Sequence, residues 1–334
     1  MMTTDFAPVT GPGLSEFSFP EDTALFTIGD VHGQATSLQA LCAGIKAMDT
    51  GTKKRHVVFL GDAIDRGPAS LASLDILHNE LADLTGADEV TLLPGNHELL
   101  MADAIDEARG GNVKNSASML WLANGGVKVM LEALHGTHLA EPLEYALKLM
   151  MMARYSSEVR QALVPLLPLM GEMMEGLFEA LKSRGLNPVS FVREQPSHLR
   201  VGDLLCVHAG VTPQLPMDLA LSFSQDEHLD VPDHWAWVRE TFLSSQRGWF
   251  EEGPEKDPSA PGGLLVVHGH SVPKKWAKHA STDKDRMARI FDRMATNARV
   301  CVDFNASSGV GVGGCLVTSE GRKLYFQPNP ASNL

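Results

Sequence analysis

Cysteine is scarce in this chain, and its four copies, Cys42, Cys206, Cys301 and Cys315, show no CxxC spacing. Cys206, Cys301 and Cys315 fall in apolar runs, so the pattern predicts buried free thiols in a reducing compartment rather than a disulfide framework. Long hydrophobic runs are missing too. No stretch approaches the ~20 residues that span a bilayer, and the opening MMTTDFAPVTGPGLSEF lacks the basic and apolar regions of a signal peptide. A cytoplasmic location with no membrane partner is therefore expected. Positive charge is in deficit: 28 Lys and Arg face 41 Asp and Glu, for a formal net charge of -13. That balance opposes general nucleic-acid binding, which depends on neutralising phosphates with Lys and Arg, and leaves positive potential to be confined to a local pocket. No internal repeat or low-complexity tract is evident.

What the chain does have is length and a series of short polar blocks in a fixed order. With 334 residues, 44% hydrophobic and 21% charged, it can bury a large core as one large α/β domain. Residues 1–22, rich in Thr, Pro and Gly, read as a mobile leader, and strand and helix signals alternate from Ala24 to about Leu134. The blocks are GDVHG (29–33), GDAIDRGP (61–68), GNHE (95–98), HAG (208–210) and HGH (268–270). Each follows an apolar run expected to be a strand: ALFTIG, HVVFLG, EVTLLPG, DLLCV and LLVV. Strand ends are where α/β proteins keep their ligand sites.

The residue types point to two metals and a phosphate. A pair of divalent ions about 3.5–4 Å apart, holding both ends of an in-line displacement at phosphorus, needs carboxylate and imidazole ligands with one shared bridge. Asp30 and His32 alternate along an extended segment, so both can point to one side, and Gly29 and Gly33 are expected to let the backbone approach an ion. Asp62 follows its strand directly and suits the bridge. Arg66 carries the planar donor fork that pairs with phosphate. Asn96 is a neutral oxygen ligand, and His97 beside it is a natural proton donor. Alone, GDVHG or GNHE fits a glycine turn with a surface histidine equally well; the ordered series is what argues against accident. The remaining histidines show no ligand spacing, and Asp103, Asp106 and Glu107 read as a solvated helix face.

The series GDVHG, GDAIDRGP, GNHE, HAG and GH, with WLANGG (121–126) between and VDFNASSGVGVGGCL near the end, resembles the phosphoprotein phosphatase family of the calcineurin-like metallophosphoesterases over residues 23 to 327. The resemblance implies an α/β calcineurin-like fold, a central β-sandwich of two mixed sheets flanked by helices, in a single domain over residues 23–330. It implies Asp30 and His32 on one metal, Asp62 bridging, and Asn96, His208 and His270 on the other, with His97 as general acid held by Asp65. His270 is preferred over His268 because the family's ligand follows glycine in a Gly-His pair. Phosphate would be bound by Arg66 and by a second arginine in a short aromatic helix; WAWVRETF (235–242) points to Arg239, with Arg247 as the lesser candidate. The chain departs from many eukaryotic relatives at SSGVGVGG, where they carry an aromatic residue.

The implied activity is direct hydrolysis by a hydroxide bridging two ions, manganese or an iron and zinc pair, and the absence of a Cys-x5-Arg loop argues against a thiol-based route. Asp65 favours a serine/threonine protein phosphatase, acting on a phosphoprotein or small phosphoester. A symmetrical dinucleoside tetraphosphate hydrolase, a broad or phosphotyrosine phosphatase, and a non-catalytic phosphoprotein-binding scaffold are the alternatives. One segment stands apart: from Glu141 to Arg184 the chain turns helical and methionine-rich, broken at Pro165 and Pro168. It reads as a helical insert over about 137–190, either an amphipathic pair packed on the core or a lid over the site. Its Met and Leu stripe leaves the oligomeric state open.

Overall fold

Period-two alternation of apolar side chains builds two sheets that share one interior. The structure is a computed structural model describing residues 18–110, 116–187, 189–245, 263–272 and 299–328. Its strands are β1 (Thr23–Ile28), β2 (Lys54–Phe59), β3 (Glu89–Leu92), β4 (His198–Val201), β5 (Leu204–Val207), β6 (Leu265–His268), β7 (Arg299–Cys301), β8 (Gly311–Thr318) and β9 (Gly321–Pro328). Every run expected to be a strand forms one. β4 has no counterpart in the sequence reading: it is short, half exposed and at a sheet edge, so it carries little apolar signal.

One sheet has the order β3-β2-β1-β8-β9 and the other β4-β5-β6-β7. In the first, β1, β2 and β3 run parallel, β8 is antiparallel to β1, and β9 is antiparallel to β8; in the second, β5, β6 and β7 are parallel and β4 is antiparallel. Both sheets are mixed. Leu25, Val58 and Leu60 from the first sheet pack with Leu204, Cys206, Leu265 and Val267 from the second, closing the sandwich. The alternate residues point outward: Phe26, Val57 and Phe59 meet one helical layer, and Leu205, Val207 and Val266 meet the other. Because β1 and β2 are in register from Thr23↔Lys54 to Ile28↔Phe59, the loops after them start side by side.

The insert consists of helices Ala140–Met152, Ser156–Leu163 and Met170–Lys182, with a 3-10 stretch at Val164–Leu169 where Pro165 and Pro168 fall. Met170, Met173, Met174, Leu177 and Leu181 are buried on the main core, so that stripe faces inward. Of the residues read as a mobile leader, 1–17 lie outside the described set. The next five are attached: Phe19 is buried between the sheets, and the Ser18 N–H donates to Asp203 at 2.6 Å. No helix among the described residues is long and apolar enough to cross a membrane, and all four cysteines are buried free thiols.

Candidate active site

Loops after β1, β2 and β3 of one sheet and after β5 and β6 of the other bring the five polar blocks together. Asp30, His32, Asp62, Asp65, Asn96, His97, His208 and His270 are all buried. His32, Asp62 and His97 offer ligand atoms within 4.8 Å of one another, and so do Asp62, His208 and His270. Asp62 belongs to both groups. Its Oδ2 lies 3.6 Å from His32 Nε2, and its Oδ1 lies 3.4 Å from His208 Nε2. Asn96 Oδ1 is 3.0 Å from His208 Nε2. Asp30 stands outside both triples, with Oδ2 3.8 Å from His32 Nε2 and Oδ1 accepting the His270 N–H at 2.9 Å.

The hydrogen bonds around these rings set their tautomers. Nδ1–H of His32 donates to the Ile64 carbonyl at 2.9 Å, and Nδ1–H of His208 donates to the Leu60 carbonyl at 2.7 Å. Each Nε2 therefore carries a lone pair, as in a histidine ready to bind metal. The His208 lone pair faces Asp62 and Asn96 oxygens, which repel it unless a cation lies between, while the His32 lone pair faces an Asp62 oxygen and the Arg66 guanidinium. His270 Nε2 is buried with no hydrogen-bond partner among the described residues. The donor set of imidazoles, carboxylates and an amide oxygen thus fits divalent cations.

Burial and crowding press on every ionisable group here. Burial, then Asp303 and Asp62, raises the Asp30 carboxyl well above the usual range; burial, then Glu98, does the same for Asp62 and Asp65. Burial pushes His32 and His208 down to about 3, and holds His97 and His270 well below the ordinary value. Neutral imidazoles among carboxylates that resist ionising describe a site short of positive charge, the deficit that bound cations reverse.

The backbone is as constrained as the side chains. Of the six non-glycine residues with positive φ among those described, His32, Asp62, Asp65, Arg66 and His270 lie here, at φ 45° to 72°. Such conformations persist only where surrounding contacts enforce them. Glu98 supplies much of that enforcement, accepting N–H bonds from Asp62, Ala63, Ile64 and Gly95 at 2.8–3.3 Å. Gly95 lies against Asp62, since a Cβ there would sit 2.2 Å from Asp62 Oδ1. Gly29, by contrast, serves chain packing rather than ion approach: its Cβ would meet the Val302 carbonyl oxygen at 2.1 Å.

His97 Nδ1 bonds Asp65 Oδ2 at 2.5 Å, and Trp121 Nε1–H donates to both Asp65 oxygens at 3.1 Å. Arg66 Nη1 lies 3.3 Å from His32 Nε2. Arg239 Nη1 donates to Ser271 Oγ at 3.1 Å, close to His270. The aromatic helix expected around Arg239 is different in form: only Glu240–Ser244 is helical, and Arg239 stands just before it. Arg247 lies outside the described residues. His268 is buried edge-on against Phe242 and belongs to neither ligand group. Asp103 is not simply solvated: it bonds His228 Nε2 at 2.7 Å, and His228 accepts from Trp237, whose ring stands edge-on to His270 at 5.9 Å.

Glu98, Trp121 and Asp303 received no role from sequence. Glu98 had a signal, as the acidic third residue after a helix N-cap. Trp121 and Asp303 lie in the WLANGG and VDFNASSGVGVGGCL motifs, but nothing in those motifs gave them a role, which folding alone reveals by bringing them to the centre.

A family profile described as calcineurin-like phosphoesterase matches residues 25–293. The chain belongs to that family. A segment is 40% identical over 77 residues to the serine/threonine-protein phosphatase 4 catalytic subunit of Candida glabrata, covering 23% of this chain and 23% of that protein. Another is 31% identical over 102 residues to serine/threonine-protein phosphatase 1 of Salmonella typhimurium, covering 30% of this chain and 38% of that protein. The matched segments thus span less than half of those relatives. Among solved structures, a cold-active protein-tyrosine phosphatase of a Shewanella species is similar at TM-score 0.41 and 15% identity, over 92% of this chain and 83% of that one.

Proposed function

We propose that this chain is a serine/threonine protein phosphatase working through two divalent ions. The observation that carries the reading is Asp62, common to two ligand groups, with the His97–Asp65 pair beside it. Asp30 and His32 would hold one ion and Asn96, His208 and His270 the other, with Asp62 common to both. The mixed oxygen and nitrogen donors suit manganese, or an iron and zinc pair. When bound, such ions supply an activated water and draw charge from the phosphoryl oxygens.

The remaining work belongs to side chains. Arg66 and Arg239 grip the phosphoryl oxygens as charge spreads over them in the transition state. Asp65, oriented by Trp121, fixes the His97 ring through Nδ1; with the ring protonated on both nitrogens, Nε2–H gives its proton to the leaving alkoxide. The two serine/threonine phosphatase segments support a phosphoprotein substrate over a dinucleotide. Residues 23–330 are read as one domain carrying a helical insert, and the four buried thiols fit a cytoplasmic setting.

A hydrolysis panel tests the reading on purified, manganese-supplemented protein. It compares p-nitrophenyl phosphate, phosphoserine, phosphothreonine and phosphotyrosine peptides, and diadenosine tetraphosphate, with EDTA as control. Phosphoserine or phosphothreonine turnover abolished by EDTA is the expected result. Cleavage of the dinucleotide alone overturns the substrate assignment, and no turnover with any metal overturns the enzymatic one.

A further inference from the structure

The turn Ser116–Gly126 has an inner and an outer face. On the inner face Trp121 bonds Asp65, and Gly125, at φ 126°, lies so close that a Cβ would come within 2.9 Å of Arg66 Cγ. On the outer face Met119, Leu120, Ala123 and Asn124 form one wall of an open groove of about 550 Å³. Val159 and Arg160 of the insert line the opposite wall. Asn124, on the groove wall, is next in the chain to Gly125, which packs against Arg66.

Two properties of its walls bear on the occupant. Eight large apolar side chains are exposed among the described residues, and one of them, Leu120, lines the groove with Met119, Ala123 and Val159. Apolar side chains gathered on one face mark contact surfaces. Arg160 is exposed, and no acid pairs with it among the described residues, whereas Arg184 pairs with Asp75 and Lys54 with Glu89. An unpaired cation in a chain of net charge -13 suits an acidic partner.

We propose that this groove binds the stretch of a phosphoprotein flanking the phosphorylated residue, with an apolar side chain against Leu120 and Val159 and an acidic one on Arg160. The inference rests on the protein phosphatase reading above. An extended peptide advances about 3.3 Å per residue, so positions within a few residues of the phosphorylated one reach the groove while the phosphoryl group lies on Arg66. The insert then acts as a specificity wall without contributing to the chemistry.

The test is steady-state kinetics of the metal-loaded full chain on phosphoserine peptides in which Glu, Leu and Lys are scanned through the four positions on either side. p-Nitrophenyl phosphate, too small to reach the groove, serves as reference. Peptides pairing Leu with Glu are expected to show the lowest KM. Arg160→Glu should raise that KM roughly fivefold or more, as expected for reversing one exposed charge pair, with kcat and p-nitrophenyl phosphate turnover unchanged and Arg160→Lys near wild type. Peptide turnover with no sequence preference, or equal losses on both substrates, overturns the groove assignment alone. Turnover of p-nitrophenyl phosphate but of no phosphopeptide overturns the protein phosphatase reading beneath it. A dimer in sedimentation that Leu120→Asp dissociates, with peptide KM unmoved, gives the groove to a second copy and rejects the proposal.

Discussion

Around Asp62 the chain buries Asp30, His32, Asp65, Asn96, His97 and Glu98 to 4% exposure or less, while in the insert Met151 and Met152 stand 79% and 78% exposed. Each region inverts the usual placement of its residue types. The centre hides polar groups and holds them by backbone hydrogen bonds and left-handed conformations, so little in it can shift without a neighbour losing a partner. The insert anchors one stripe, Met170 to Leu181, and leaves another face open. On the proposed reading, chemistry is placed where geometry is over-determined, and recognition where surface residues can change at little cost to the fold.

Substitutions in the two regions should therefore have separable effects. The largest is expected for Asp62→Asn, which should remove bound metal and lower kcat/KM on the order of a thousandfold; full metal occupancy with normal turnover would reject the shared-ligand role. Next is His97→Asn. Alkyl phosphates, whose leaving groups need a proton, should lose roughly a hundredfold or more in kcat, while p-nitrophenyl phosphate loses far less. Equal losses would count against the acid assignment.

In the insert, Leu177→Ala removes a fully buried side chain and should cost about 2–5 kcal/mol of stability in denaturant titrations, with p-nitrophenyl phosphate kcat unchanged in the folded protein. A matching loss of kcat would show that the insert supports the chemistry, breaking the contrast. The smallest effect is a pH dependence. Burial holds His78 neutral down to about 4, against 6.5 for the free side chain. Below pH 6.5 the unfolded chain takes up a proton that the folded one refuses, so stability falls as pH drops, until the folded group titrates near 4. At pH 5 the penalty is about 2 kcal/mol. His78 packs edge-on to Phe191, and His78→Phe keeps an aromatic ring while abolishing the titration. Its Tm advantage should widen by a few degrees from pH 7.5 to pH 5; a constant offset would reject the assignment.

Much of this was legible in the chain itself. Period-two apolar runs ending in Asp, Asn or His identified five strands and the loops after them, and the glycines beside those residues marked where the backbone turns. Asp62 reads as suited to a shared ligand from its place just past a strand. What the sequence could not supply was pairing across distance. Trp121 reaches Asp65 from 56 positions away, Asp303 joins Asp30 from the far end of the chain, and the second use of Glu98, beyond capping its helix, depends on β2 and β3 lying side by side. The insert shows the same limit: its methionines announced amphipathic helices, but which of them meet the core and which face solvent was decided by packing. Local pattern determines strands, helices and the chemistry each block can offer, because those depend on neighbours in the chain. Which distant groups share a proton, a cation or a surface depends on the register and stacking of the two sheets, and only the folded structure decides that.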